Sequence, residues 1–174
     1  FPSSYIPTTG VATLRNLDFP LITDLSWFNE LIGTYLMDGV LIDYTPTVTD
    51  RIIAMSDAAD NVAQDYYWLS GPSVNANFYI TPNSNAVSTG NFTPGTDFSF
   101  AVAYSVDDIA AVRDGGTPAT DSDTLGILPS GIDKLVLGNS PNTNRPMFGT
   151  IKRVQYWPSR LTNEELIELT ADRG

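Results

Sequence analysis

Residues 98–104 read Phe-Ser-Phe-Ala-Val-Ala-Tyr. Phe98, Phe100, Val102 and Tyr104 fall on one face of a strand, and Ser99, Ala101 and Ala103 on the other. A face of large side chains backed by a face of small ones fits a sheet with one side in a core. Further strand-like apolar runs recur at 34–46, the longest, and at 51–57, 65–71, 75–83, 108–113, 134–139 and 149–157. Gly39 is a candidate bulge within the first of them. In 108–121 a strand leads into Asp114-Gly115-Gly116 and returns, the pattern of a hairpin whose glycines accept positive φ. In 149–157, Ile151 and Val154 cannot share a face of a regular strand, which predicts a bulge near Lys152-Arg153.

At least eight short strands separated by Gly, Pro, Asn and Asp predict an all-β fold. The expected architecture is a two-sheet antiparallel β-sandwich, a jelly roll, with one short C-terminal α-helix. No fixed-period repeat points to a propeller or solenoid. Residues 1–33, punctuated by Pro2, Pro7, Gly10 and Pro20, read as an extended segment packed on the domain. Residues 34–174 then form the sandwich, and the whole is expected to be one domain. After Trp157-Pro158 the pattern changes. Thr162 and Glu165 have capping-box spacing, and Glu164, Glu165 and Glu168 place negative charge toward the amino end of a helix. Leu161, Leu166 and Leu169 supply its apolar stripe. So short a helix needs tertiary packing, expected at an edge or end of the sandwich.

Composition narrows the chemistry. There are 20 acidic and 9 basic residues, a net charge of −11. That excess argues against nucleic acid, which requires clustered Lys and Arg, and against an anionic membrane surface. No apolar run approaches the roughly 18 residues of a membrane span. The chain has no Cys and no His. Disulfides, thiolate nucleophiles, Cys or His metal sites and a His-based triad are therefore excluded. The sequence begins at Phe1 and its first Met is Met37, so a piece of a longer chain is expected.

The segment GTIKRVQYWPSRLTNEELIELT (149–170) resembles the end of concanavalin A-like, laminin-G-like jelly-roll domains of bacteriophage virion proteins. Those domains close with I-x-R-(I/V)-x-Y-(Y/W)-P and then R-L-(S/T)-x-x-E-L. Ile151, Arg153, Val154, Tyr156, Trp157 and Pro158 fill the first pattern, and Arg160, Leu161, Thr162, Glu165 and Leu166 the second. SSYIPTTGVATLR (3–15) is similar to the segment that leads into such domains in tail proteins. LSWFNELIGTYLMDGVL (25–41) resembles their first long strand, and VRDGGT (112–117) their hairpin. Residues 57–97 match nothing in that family pattern. The resemblance implies a module of a phage tail, fibre or capsid-surface protein on the virion surface. Its partners would be host-surface glycan and other virion proteins, in a homo-oligomer for which family analogy favours a trimer.

Sugar recognition directs attention to aromatic residues with polar neighbours. Tyr66, Tyr67 and Trp68 are consecutive; in a regular strand Tyr66 and Trp68 share one side. Two readings stand: the pair fills the core, the commoner fate of aromatics in a sandwich, or it lines a groove. Asn77 and Tyr79 on the next strand complete the candidate carbohydrate-binding set of Tyr66, Trp68, Asn77 and Tyr79. No metal or other cofactor is expected. Were calcium bound, Asp57, Asp60 and Asp65 would be its candidate ligands, with Asp121 and Asp123 a second pair, although neither stretch fits the EF-hand pattern. Catalysis is not expected. Glycosidases use two facing carboxyl groups, and Asp38 and Asp43 have opposite strand parity. A structural connector or decoration module without glycan binding is the alternative, and a polysaccharide depolymerase the third reading.

Overall fold

The computed structural model describes residues 19–43, 51–57, 66–68, 75–80, 85–121, 131–142 and 145–172, with 66–68, 75–80, 85–86 and 91 described by their backbone. In chain order the strands are β1 (Leu21–Ile22), β2 (Gly33–Asp43), β3 (Ile53–Ser56), β4 (Tyr66–Trp68), β5 (Asn75–Ile80), β6 (Asn85–Asn91) and β7 (Asp97–Ser105). β8 (Asp108–Arg113), β9 (Ala119–Asp121), β10 (Lys134–Leu137) and β11 (Phe148–Trp157) follow, and the helix α1 (Asn163–Ala171) ends the described chain. One layer is a five-stranded antiparallel sheet in the order β11-β2-β7-β8-β9. The other consists of two three-stranded sheets, β1-β10-β3 and β4-β5-β6, which meet where β3 neighbours β4.

The alternation of β7 sets the core. Phe98, Phe100, Val102 and Tyr104 join Tyr35, Met37 and Leu41 of β2. Facing them are Ile53 and Met55 of β3, Leu135 of β10 and Val87 of β6, all buried. Burying each large apolar side chain of this kind contributes about 1.5–3 kcal/mol. The opposite face of β7 is buried as well. Ala101 and Ala103, with Ala110 and Val112 of β8 and Leu36 of β2, form a shallow seat for the fully buried Leu166 of α1. The expectation of a helix at an edge or end is thus corrected. α1 lies across β7 and β8, because small side chains there let a helix approach closely.

The turn into α1 is fixed by polar bonds. The buried Thr34 hydroxyl donates to the Ser159 carbonyl at 2.8 Å and accepts the Leu161 N–H at 3.0 Å. Arg160 donates to the carboxylate of Asp108 at 2.7 Å and to the Asn163 side chain at 3.0 Å. The capping box is complete: the Thr162 side chain accepts the Glu165 N–H at 3.2 Å, and the Glu165 carboxylate accepts the Thr162 N–H at 2.7 Å.

The bulge stands where residue parity requires it. Ile151 pairs with Gly39 and Arg153 with Asp38, so Lys152 is the extra residue. Ile151 and Val154 therefore both reach the core side. Gly39 is not itself the bulge; it stands opposite, under the Phe98 ring, where an added Cβ would lie 2.9 Å from that ring and 2.5 Å from the Thr150 carbonyl oxygen. β2 has its own extra residue, Ile42, near its end. Two strands carry no clear sequence signal. β1 is two residues that pair with β10, and β6 carries one large apolar residue, Val87.

Within residues 19–33, Leu25 and Phe28 pack against the core. The Asn29 backbone is bonded at both ends to distant tyrosines: the Tyr156 hydroxyl accepts its N–H at 2.9 Å, and the Tyr104 hydroxyl donates to its carbonyl at 2.7 Å. The Ser26 hydroxyl and amide beside Asp24 hold that carboxyl below the usual carboxylate range.

Candidate functional site

β4, β5 and β6 bring the sequence-chosen residues into one sheet, Tyr66 and Trp68 on β4 and Asn77 and Tyr79 on β5. Their register is informative. Tyr66 is opposite Phe78, and Phe78 is opposite Val87; Trp68 is opposite Asn77, and Asn77 opposite Ser88. The row Tyr66–Phe78–Val87 ends in a residue that is 3% exposed, and the row Trp68–Asn77–Ser88 ends in an exposed serine. Neighbouring rows of a sheet alternate between its faces. A register shift falls between Tyr66 and Trp68 and sets them opposite consecutive residues of β5. Tyr79, two residues beyond Asn77, occupies the same parity as Asn77 and pairs with Ala86.

This small sheet is anchored to the large one. Arg113 of β8 donates to the Gly90 carbonyl at 2.9 Å, and its guanidinium lies 5.2 Å from the centre of the Phe92 ring. Phe92 meets Phe98 edge to face at 4.7 Å. The edge strand β6 of the small sheet is thereby tied to β8 and, through Phe92, to β7 of the large one.

Of the calcium candidates, Asp57 follows β3 and is partly buried, while Asp60 and Asp65 lie outside the described residues. Asp121 ends β9 opposite Ile109, and Asp123 lies outside the described residues. Among the described residues no three His, Cys, Asp or Glu side chains gather as a metal site. Asp38 is committed to structure: it forms an ion pair with Arg153 and accepts the Ser99 hydroxyl at 2.7 Å. Among the described residues no helix is long and apolar enough to cross a membrane.

A second feature was not anticipated from the sequence. A groove of about 450 Å³ runs between α1 and β11. Arg153 and Trp157 line its strand side; Leu161, Glu165, Glu168 and Asp172 line its helix side together with Leu169. The bulge at Lys152 sets the parity that places Arg153 and Trp157 on this outer face. The sequence does contain the signal: Glu165, Glu168, Leu169 and Asp172 follow i, i+3, i+4, i+7 spacing, one face of a helix.

No family model matches the chain, and no curated protein matches it. Solved structures do. The Ruminococcus gnavus IT-sialidase CBM40, bound to α2,3-sialyllactose, superposes with a TM-score of 0.65 at 15% identity, covering 80% of this chain and 83% of that one. The native heptameric SAP-like pentraxin of Limulus polyphemus gives 0.63 at 13% identity over 90% and 73%. Domain 4 of AbnA, a GH43 extracellular arabinanase of Geobacillus stearothermophilus in complex with arabinotriose, gives 0.61 at 12% identity over 80% and 66%. At these identities the likeness establishes the fold alone, a jelly-roll β-sandwich with one short C-terminal helix.

Proposed function

We propose that this chain is a non-catalytic carbohydrate-binding module of a phage virion surface protein, recognising host cell-surface polysaccharide. The observation that carries the binding reading is the row Trp68–Asn77–Ser88, whose register runs across three strands to an exposed residue. Trp, Asn and Ser at three positions of one row would supply an indole, an amide and a hydroxyl, the combination that stacking on and hydrogen bonding to a pyranose requires. Tyr79 extends that row along β5, whereas Tyr66 belongs to the row that continues to Val87. Support also comes from fold neighbours whose structures hold sialyllactose and arabinotriose.

The virion setting rests on the resemblance of residues 149–170 and 3–15 to phage tail and fibre domains. Other virion proteins are the implied partners, with a homo-oligomer, a trimer by analogy, as the working state. A SAP-like pentraxin among the fold neighbours is described as heptameric.

A glycan array of bacterial surface polysaccharides, probed with the full chain, tests the reading. Saturable binding to a defined polysaccharide without release of reducing ends is expected. No binding at millimolar sugar by the native oligomer would favour the connector or decoration module, and reducing-end release would favour the depolymerase.

A further inference from the structure

We propose that the groove between α1 and β11 is a second binding site, taking a protonated amino sugar. Its volume of about 450 Å³ lies within the roughly 300–1,000 Å³ typical of small-ligand sites. Its wall is the half-buried indole of Trp157, flanked by the partly buried Leu161 and Leu169. That apolar surface suits the C–H face of a sugar ring.

Charge selects among sugars. Among the described residues Arg153 is the one cation in the lining, and it is already countered by Asp38. The opposite side carries the carboxylates of Glu165 and Glu168 on exposed positions of α1, with Asp172, which has an interaction of its own, at the C-cap. Glu165 is engaged with the Thr162 N–H as part of the cap. The groove thus joins an aromatic wall to an excess of negative charge. An ammonium group donates three hydrogen bonds to carboxylates and is attracted to an indole face, whereas a sugar acid is repelled. The assignment to a sugar, rather than to another amine, rests on the glycan-binding reading; the preference for a cation does not.

The test is a titration of the full chain with glucosamine oligomers bearing free amines and with their N-acetylated counterparts, followed through the assigned indole resonance of Trp157. The free-amine oligomer is expected to shift that resonance and to bind more tightly than the acetylated one, with affinity falling as salt is added. In Glu168→Gln its affinity should fall by roughly two- to fivefold, the loss of one solvent-exposed charge pair. Glu168 is exposed, so the variant's helix should remain intact by circular dichroism. Equal binding of the two oligomers, an unmoved Trp157 resonance, or unchanged affinity in Glu168→Gln would overturn the proposal. So would a lysine-containing peptide that moves Trp157 when neither oligomer does. Trp68→Ala, which removes the other surface, should leave this site's affinity unchanged, so the two proposals fail separately.

Discussion

The Gly115 N–H donates to the Thr170 hydroxyl across 3.0 Å, and the same hydroxyl donates to the Leu166 carbonyl at 2.9 Å. One buried side chain thereby joins the turn after β8 to the last turn of α1. Gly115 has φ +69°, and an added Cβ would lie 3.0 Å from the Ala171 Cβ. Gly115→Ala should cost about 1–2 kcal/mol from the left-handed backbone alone, read as a lower urea midpoint with unchanged slope. Thr170→Val should cost about 1 kcal/mol, and Thr170→Ser much less.

The helix depends on its cap and on one leucine. Thr162→Ala should lower stability by about 1 kcal/mol, while Thr162→Ser should stay close to the native value. Leu166 is fully buried against Ala101, Ala103 and Ala110, so Leu166→Ala should cost about 2–5 kcal/mol. Thermal unfolding should rank the three variants Thr162→Ser, Thr162→Ala and Leu166→Ala in order of falling midpoint.

Small side chains under α1 are a requirement of shape. Ala103→Leu should cost about 1–3 kcal/mol by lifting the helix from β7. Hydrogen exchange of the α1 amides should accelerate, while amides of β2, paired between β11 and β7, retain their protection. Unchanged exchange in α1 would show that the seat has room to spare.

How much of this is legible in the sequence depends on the range over which each feature is decided. Thr162 and Glu165 supply each other's partners within one helical turn, so the capping box can be read directly. The bulge at Lys152 follows from two apolar residues, Ile151 and Val154, that regular parity cannot reconcile. β6 is less accessible, because Asn85–Asn91 owes its strand state to pairing with β5. The shift between Tyr66 and Trp68 is likewise set by β5 and invisible in β4 alone. The helix position is written in Ala101, Ala103 and Ala110, but a face of small residues fits solvent or a helix equally well. The groove arises only when the bulged parity of β11 meets the face of α1 that carries Glu168.

Asp38 and Arg153 close the outer face of β2 and β11 with an ion pair, the Asp38 side chain 15% exposed and that of Arg153 37%. Asp38→Ala would remove the acceptor of both Arg153 and the Ser99 hydroxyl. The cost should be about 1–2 kcal/mol, below that of a fully buried pair because water reaches the guanidinium. A double-mutant cycle with Arg153→Met measures the coupling. A value near zero would assign the stabilisation to Ser99 instead.

The central claim is that the Trp68 row of the small sheet binds sugar. Its most direct test is calorimetric titration of the polysaccharide selected on the array into the full chain and into Trp68→Ala, with the unfolding curve of each recorded alongside. The predicted result is an affinity loss of about 1 kcal/mol or more, with cooperative unfolding retained. Equal affinity in the two proteins, or a variant that no longer unfolds cooperatively because Trp68 belongs to the core, would contradict it.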